Sequence, residues 1–192
     1  MTLTVKPVRA RQLADVATLF GTNRTTSGCY CMWFLLPAKE CDAGWSGGNK
    51  VAFEEAVAAD REPYGLLAYL DREPVGWLAA GPRSRYARAL RSTMLKQRDA
   101  GEDDRVWFLP CFFVHRQARR TGVTRRLVEE AVDLATRRGA TAVESFPLAG
   151  DARHGTGEAF VGVEPLFASC GFSVVSRPTP KRVVMRRELT SP

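Results

Sequence analysis

The segment Arg119-Arg120-Thr121-Gly122-Val123-Thr124-Arg125 has the residue types and spacing to hold a phosphate. It lies between an apolar run and a helical repeat of apolar residues, so the backbone N–H groups at the helix start lack carbonyl partners. The helix dipole attracts an anion there, Gly122 lets the chain come close, and the arginines offer charge-assisted hydrogen bonds. Taken alone, these residues also fit an ordinary loop between a strand and a helix.

Thiols and aromatic rings are concentrated elsewhere, in Cys29-Tyr30-Cys31-Met32-Trp33-Phe34 followed by Cys41 and Trp45. Several cysteines together raise the question of a metal. The Cys-x-Cys spacing is not a zinc pattern, however, and only His115 and His154 are available to complete a site, so no metal is expected. The rings either wall a binding pocket or pack the loop onto the core. Residues 83–98 place Tyr86, Leu90 and Met94 four apart, which predicts a short amphipathic helix showing Arg85, Arg88, Arg91 and Lys96 on a solvated face.

The elements that must position these groups follow from apolar periodicity. Residues 3–8 alternate as a strand, and Leu13, Val16, Ala17 and Phe20 recur as a helix. Residues 21–48 show no sustained period and read as a long irregular segment, of a length that is usually functional. Asn49 is placed to cap a helix reaching residue 59. Residues 65–70 and 75–80 flank a short turn and predict an antiparallel hairpin. Residues 106–114 predict a central strand, although Pro110 cannot donate a ladder hydrogen bond. Val123, Leu127, Ala131, Leu134 and Ala135 make one helical stripe ending at Arg137-Arg138-Gly139. A strand at 142–146, a short helix at 163–169 and strands at 172–175 and 183–187 complete the chain.

This order, together with Arg119 and Gly122 spaced as Arg-x-x-Gly before a helix and the segment Leu166-Phe167-Ala168-Ser169-Cys170-Gly171-Phe172, resembles the GNAT (Gcn5-related N-acetyltransferase) superfamily. Cys29-Tyr30-Cys31-Met32-Trp33 is similar to a loop in a bacterial subgroup of GNAT-like proteins. The resemblance covers nearly the whole chain. It departs at Thr124, where the family has a small residue. What it implies is an α/β fold with a mixed, mostly antiparallel twisted sheet of six to seven strands, helices on both faces and a splayed central strand pair, forming one domain over residues 1–192. Pro110 would then lie near the gap between the splayed strands.

By the same resemblance, the cosubstrate is acetyl-CoA or another acyl-CoA. Its pyrophosphate would lie on Arg119, Arg120, Thr121, Gly122, Val123, Thr124 and Arg125, and its pantetheine arm along the backbone of Phe113 and Val114. The acceptor would be a small-molecule amine or a protein amino group, with Tyr30, Trp33 and Phe146 walling its pocket. The reaction implied is direct transfer with both substrates bound together. A tyrosine often used as acid corresponds to Phe167, and a glutamate often used as base corresponds to Phe108. Candidates for these roles are Glu144 as base, and Ser169 and Cys170 as proton donors. Glu144 fits equally a strand-end carboxylate paired with an arginine, and Ser169 and Cys170 fit helix packing. Asp103 and Asp104 lie at the mouth of the central strand. Cys111 on that strand reads as inert packing, and His154 would sit in a lid over the acceptor. The departures at Phe167, Phe108 and Thr124 also motivate a second reading, an acyl-CoA-binding module with a sensing role and little turnover.

Bulk composition bounds these readings. A chain of 192 residues with 45% hydrophobic content supports a continuous core. No stretch reaches the roughly 20 apolar residues of a membrane span, and residues 1–11 do not form a signal-type apolar block, so a cytoplasmic protein without a membrane partner is expected. Five cysteines are an odd number and too few for a disulfide scaffold. The net charge of +7 suits a nucleotide cofactor. A nucleic-acid partner is not expected, because no recognised module accompanies that charge. No segment identifies an oligomer interface, and a homodimer is compatible with such a fold.

Overall fold

The computed structural model describes residues 2–150 and 159–190. Four strands form in the first part of the chain, each antiparallel to the one before: β1 (Leu3–Pro7), whose apolar residues alternate, and β2 (Gly65–Leu70), β3 (Glu73–Pro82) and β4 (Val106–Val114), near-continuous apolar runs buried on both faces. Asp71 and Arg72 join β2 to β3, both with positive φ, as a two-residue hairpin turn requires. Three further strands, β5 (Ala142–Ser145), β6 (Ser173–Thr179) and β7 (Arg182–Glu188), extend the sheet in the order β1-β2-β3-β4-β5-β7-β6. The pairing of β4 with β5 is parallel and all the others are antiparallel. This is an α/β fold with a mixed, mostly antiparallel seven-stranded sheet, as the resemblance implies.

Strand alternation sends Leu66, Ala68, Leu78 and Ala80 to one face, where Val123, Leu127, Ala131 and Ala135 of α6 (Val123–Arg137) cover them. Each fully buried valine or leucine in that layer contributes about 1.5–3 kcal/mol. On the other face, Leu67, Tyr69, Trp77 and Ala79 meet Val16 and Phe20 of α1 (Leu13–Phe20). Phe53 and Val57 of α4 (Gly48–Ala59) share that cluster.

Residues 21–48 are more regular than their sequence suggests. They contain α2 (Arg24–Cys29) and α3 (Ala38–Ala43). The Asn23 side chain caps α2 by accepting from the N–H groups of Thr25 and Thr26 at 2.9 and 3.3 Å. Residues 83–98, conversely, do not form the amphipathic helix expected. They hold only α5 (Ala87–Leu90) between two 3-10 turns, Arg83–Arg85 and Thr93–Leu95. Tyr86 leaves helical geometry at ψ 62°, and Ser92 is extended and caps the following turn through the N–H of Met94. Arg83, expected in a solvated stretch, is fully buried.

Pro110 occupies a β-bulge. Ala79 pairs with Cys111 and Gly81 with Phe108, so Leu109 and Pro110 together oppose Ala80. The missing proline donor is therefore placed where the ladder is already interrupted. The bulge also shifts the alternation, so that Leu109 and Phe112 join the α6 side while Cys111 and Phe113 join the α1 and α4 side. Pairing of β4 with β5 ends at Phe108 opposite Glu144, immediately before the bulge, and the two strands part beyond it. Among the described residues, no helix is long and apolar enough to cross a membrane.

Candidate functional site

Gly122 is the N-cap of α6, with φ +85°, and a Cβ built on it would meet nothing within 4 Å. The first α6 N–H with a helical partner is that of Arg126, donating to Gly122 O at 3.0 Å, which leaves the preceding turn as an open donor array. The first turn carries no acidic residue to occupy it. Arg120 is also left-handed, at φ +66°, a conformation that costs a non-glycine residue about 1–2 kcal/mol and that clusters at ligand clamps. Arg119, Arg120, Thr121, Gly122 and Arg125 are exposed, Thr124 is half-buried, and Val123 packs beneath the loop with its side chain buried. Arg119 Nε donates to Val114 O at 3.3 Å and Arg125 Nη1 to Ser169 O at 2.9 Å, tying the loop to the end of β4 and to the C-terminus of α7 (Glu164–Ala168).

The backbone of β4 is divided between its two neighbours. His115 N–H donates to Val75 O at 2.8 Å, and by antiparallel alternation Phe113, opposite Trp77, also turns its N–H and C=O toward β3. Val114 and Phe112 consequently turn theirs toward the gap. Of the two backbone positions expected to face an extended ligand, Val114 does so and Phe113 does not. What Phe113 contributes is its ring, stacked on Phe160 with centroids 6.3 Å apart. At the vertex of the gap, Ser145 Oγ donates to Leu109 O at 2.8 Å.

The gap opens toward a cavity of about 840 Å³ on the α1 and α4 side of the sheet. Its aromatic lining includes Trp33, Phe34, Trp45, Phe146 and Phe160. Trp33 and Phe146, two of the three residues expected to wall an acceptor pocket, line this cavity. Tyr30 does not line it: the ring is buried against Phe20 and Phe53, at 5.1 and 5.9 Å, and belongs to the core. Three thiols, Cys29, Cys31 and Cys111, also reach the cavity. Tyr30 and Cys31 are consecutive left-handed residues, a kink that delivers the Cys31 sulfur to Trp77 Nε1–H at 2.9 Å. A hydrogen bond with Cys111, then burial, push the Cys31 thiol well up, and burial pushes Cys29 up to about 12. Both are neutral thiols at physiological pH. Among the described residues, no group of three or more His, Cys, Asp or Glu is arranged to hold a metal ion.

The proposed acid and base groups lie elsewhere. Glu144 is 4% exposed and held by Arg83 Nη1 at 2.6 Å and Arg186 Nη1 at 3.0 Å, so the arginine-paired reading describes it. It is absent from the cavity lining, because it points instead to a smaller recess beside Arg186. Asp103 belongs to the same network, accepting from Arg83 Nε at 2.7 Å. Ser169 Oγ donates to Leu166 O at 2.6 Å, an engagement internal to α7. Cys170 is buried in the α6 layer, and burial raises its thiol. Phe108 and Phe167 are fully buried, Phe108 stacked on Phe146 at 5.2 Å. His154 lies outside the described residues.

One cavity residue was missed as a functional candidate. Arg88 lies over the Trp33 ring, its guanidinium carbon 3.6 Å from the centroid, and its Nη1 is buried without a hydrogen-bond partner. In the sequence it is one of several basic residues assigned to the solvated face of a short amphipathic helix, and nothing distinguishes it from Arg85, Arg91 or Lys96 there.

Several solved structures share this architecture. YncA of Salmonella typhimurium, solved with its cofactor acetyl-CoA, is 14% identical with a TM-score of 0.59, covering 100% of this chain and 96% of its own. The PaiA N-acetyltransferase of Thermoplasma acidophilum in complex with coenzyme A is 10% identical with a TM-score of 0.56, covering 98% and 100%. A GCN5-related N-acetyltransferase from Kribbella flavida is 20% identical with a TM-score of 0.53, covering 97% and 98%. At such identities these likenesses establish the fold alone. No curated protein sequence matches significantly. The model of the acetyltransferase (GNAT) family matches residues 31–154, more than half of the sequence and inclusive of the Gly122 loop, and the chain therefore belongs to the GNAT acetyltransferase family.

Proposed function

We propose that this protein transfers an acetyl or other short acyl group from acyl-CoA to a primary amine, with both substrates bound together. The observation that carries this reading is the presence together of three features: the open donor array at Gly122, the gap between β4 and β5, and a cavity lined by Cys111 of β4 and by Phe146, which follows β5. Residues 119–125 would hold the pyrophosphate through backbone N–H groups and arginines. Val114 would lend its backbone to the pantetheine arm as a strand edge does. The acceptor would enter from the cavity, where the amine nitrogen attacks the thioester carbonyl carbon, the C–S bond breaks and the thiolate departs.

Among the described residues lining the cavity there is no carboxylate and no imidazole. In the proposed reaction the ammonium proton passes to water before attack, and catalysis comes mainly from positioning. On this reading kcat/KM rises with pH until the acceptor amine is itself neutral. The alternative, binding of acyl-CoA with little turnover, draws support from Phe108 and Phe167, fully buried hydrocarbon where the family resemblance implies ionisable groups.

Thermal unfolding with and without acetyl-CoA, on the native protein and on Gly122→Glu, tests the cofactor site. Ligand at 100 times its dissociation constant should stabilise the native fold by about 2.7 kcal/mol. The glutamate, set among the open N–H groups, should abolish that increment. An equal increment in both proteins would move the cofactor away from this loop. Release of CoA thiol in the presence of an amine separates an enzyme from a binding module.

A further inference from the structure

The charge around the cavity is one-sided. Arg88, Arg91 and Arg182 line it, and among the described residues no Asp or Glu does. Arg91 Nε donates to Ala87 O at 3.2 Å, and Arg182 Nη1 to Phe146 O at 3.0 Å. Arg88 is different. Its guanidinium rests on Trp33 while Nη1 is removed from solvent and unpartnered. Burying one end of a guanidinium without an acceptor is costly, and the Arg88 side chain lines the cavity, where an anion can meet it. The partner matched to a planar cationic fork is a carboxylate.

We infer that the acceptor is a small molecule carrying an aromatic or large apolar group and a carboxylate beside its amine, of the aromatic amino acid type, with the carboxylate held by Arg88. This inference rests on the acyl-transfer reading for the role of the amine, but the binding it asserts does not require turnover. The carboxylate meets Arg88, the ring lies along Trp33, Phe34 and Phe146, and the amine is left toward Cys111, where β4 borders the gap. The same lining disfavours polyamines and lysine-rich peptides, because a polycation would meet guanidinium groups with no carboxylate among the described residues to receive it.

Calorimetric titration with matched probes tests the assignment: L-tryptophan against tryptamine and L-phenylalanine against 2-phenylethylamine, each with and without saturating CoA, and spermidine as the polycation. The amino acids should bind at least about tenfold tighter than the decarboxylated partners, as for an added charge-assisted hydrogen bond. Arg88→Gln should remove that preference, Arg88→Lys should restore part of it, and acetyl-CoA binding should be unchanged in both. Unfolding midpoints of the variants show whether each is folded, and Arg88→Lys, which keeps the charge, carries the test should Arg88→Gln fail to fold. Equal or tighter binding of the bare amines, tight binding of spermidine, or no binding of either amino acid would overturn the inference. Binding of acetyl-CoA without the amino acids sinks this proposal and spares the acyltransferase reading. Binding of the amino acids without acetyl-CoA does the reverse.

Discussion

Both oxygens of the Glu144 carboxylate are engaged, one by Arg83 and one by Arg186, and Arg83 is held in turn by Asp103 and by the carbonyl of Asp99. A group so held has both oxygens occupied by arginines and is well placed to fix a strand. Removing one partner of a buried ion pair costs about 3–5 kcal/mol, because the other charge is left buried. Glu144→Gln should therefore lower the denaturant midpoint markedly while leaving the shape of the pH–rate profile as in the native enzyme. Loss of the profile's acidic limb in that variant would return Glu144 to proton transfer. The sequence showed a carboxylate on a strand near the centre of the sheet, and it allowed the pairing with arginine. It did not reveal which arginines, since Arg83 and Arg186 lie 61 and 42 residues away and are joined to Glu144 only by the sheet order. Arg88 escaped notice for a related reason, because its orphaned nitrogen is a property of the folded cavity and not of local spacing.

Elements with a strong period were legible, and those shaped by long-range partners were not. The stripe from Val123 to Ala135 marked α6, and Pro110 correctly signalled an irregularity in β4. Residues 83–98 carried a plausible helical spacing, but drawing Arg83 inside toward Glu144 and Arg85 onto Asp60 and the Pro63 carbonyl is incompatible with one continuous helix. The fit of α6 on β3 was equally invisible in the sequence. It depends on Gly76, where a Cβ would stand 2.7 Å from Val123 Cγ1, 3.2 Å from Leu127 Cδ1 and 3.3 Å from Ala68 Cβ. Gly76→Ala must therefore push back the first turn of the helix, at a cost of about 1–3 kcal/mol for overpacking. Since that turn carries the open N–H groups, the variant should also lose acetyl-CoA affinity beyond what partial unfolding explains. Isothermal titration at a temperature where the variant is fully folded separates the two effects; unchanged affinity there would show that the loop is positioned by Arg119 and Arg125 and not by the helix seat.

At the scale of the molecule, the sheet is two blocks, β1 to β4 and β5 to β7, hinged at the short parallel pairing of Val106, Trp107 and Phe108 with Ala142, Val143 and Glu144. A ligand arm between the blocks would need them held apart at one end and fixed at the other. The fixed end is reinforced by charge: Arg186 of β7 binds Glu144 of β5 and reaches Glu102, at 2.9 Å, in the segment leading into β4. Arg83, following β3, reaches Glu144 from the other block. Arg186→Met keeps the stem of the side chain but cuts the link to Glu102, so the second block should open more often than the first. Hydrogen exchange should then quicken in β5, β6 and β7 while β2 and β3 change little, as expected when local openings and not global unfolding are promoted. Acetyl-CoA, if it spans the gap as proposed, should slow exchange again in β5 because it favours the joined arrangement. A uniform rise across all seven strands would instead make the ion network a contributor to global stability alone, and the two blocks would have to be regarded as one cooperative unit.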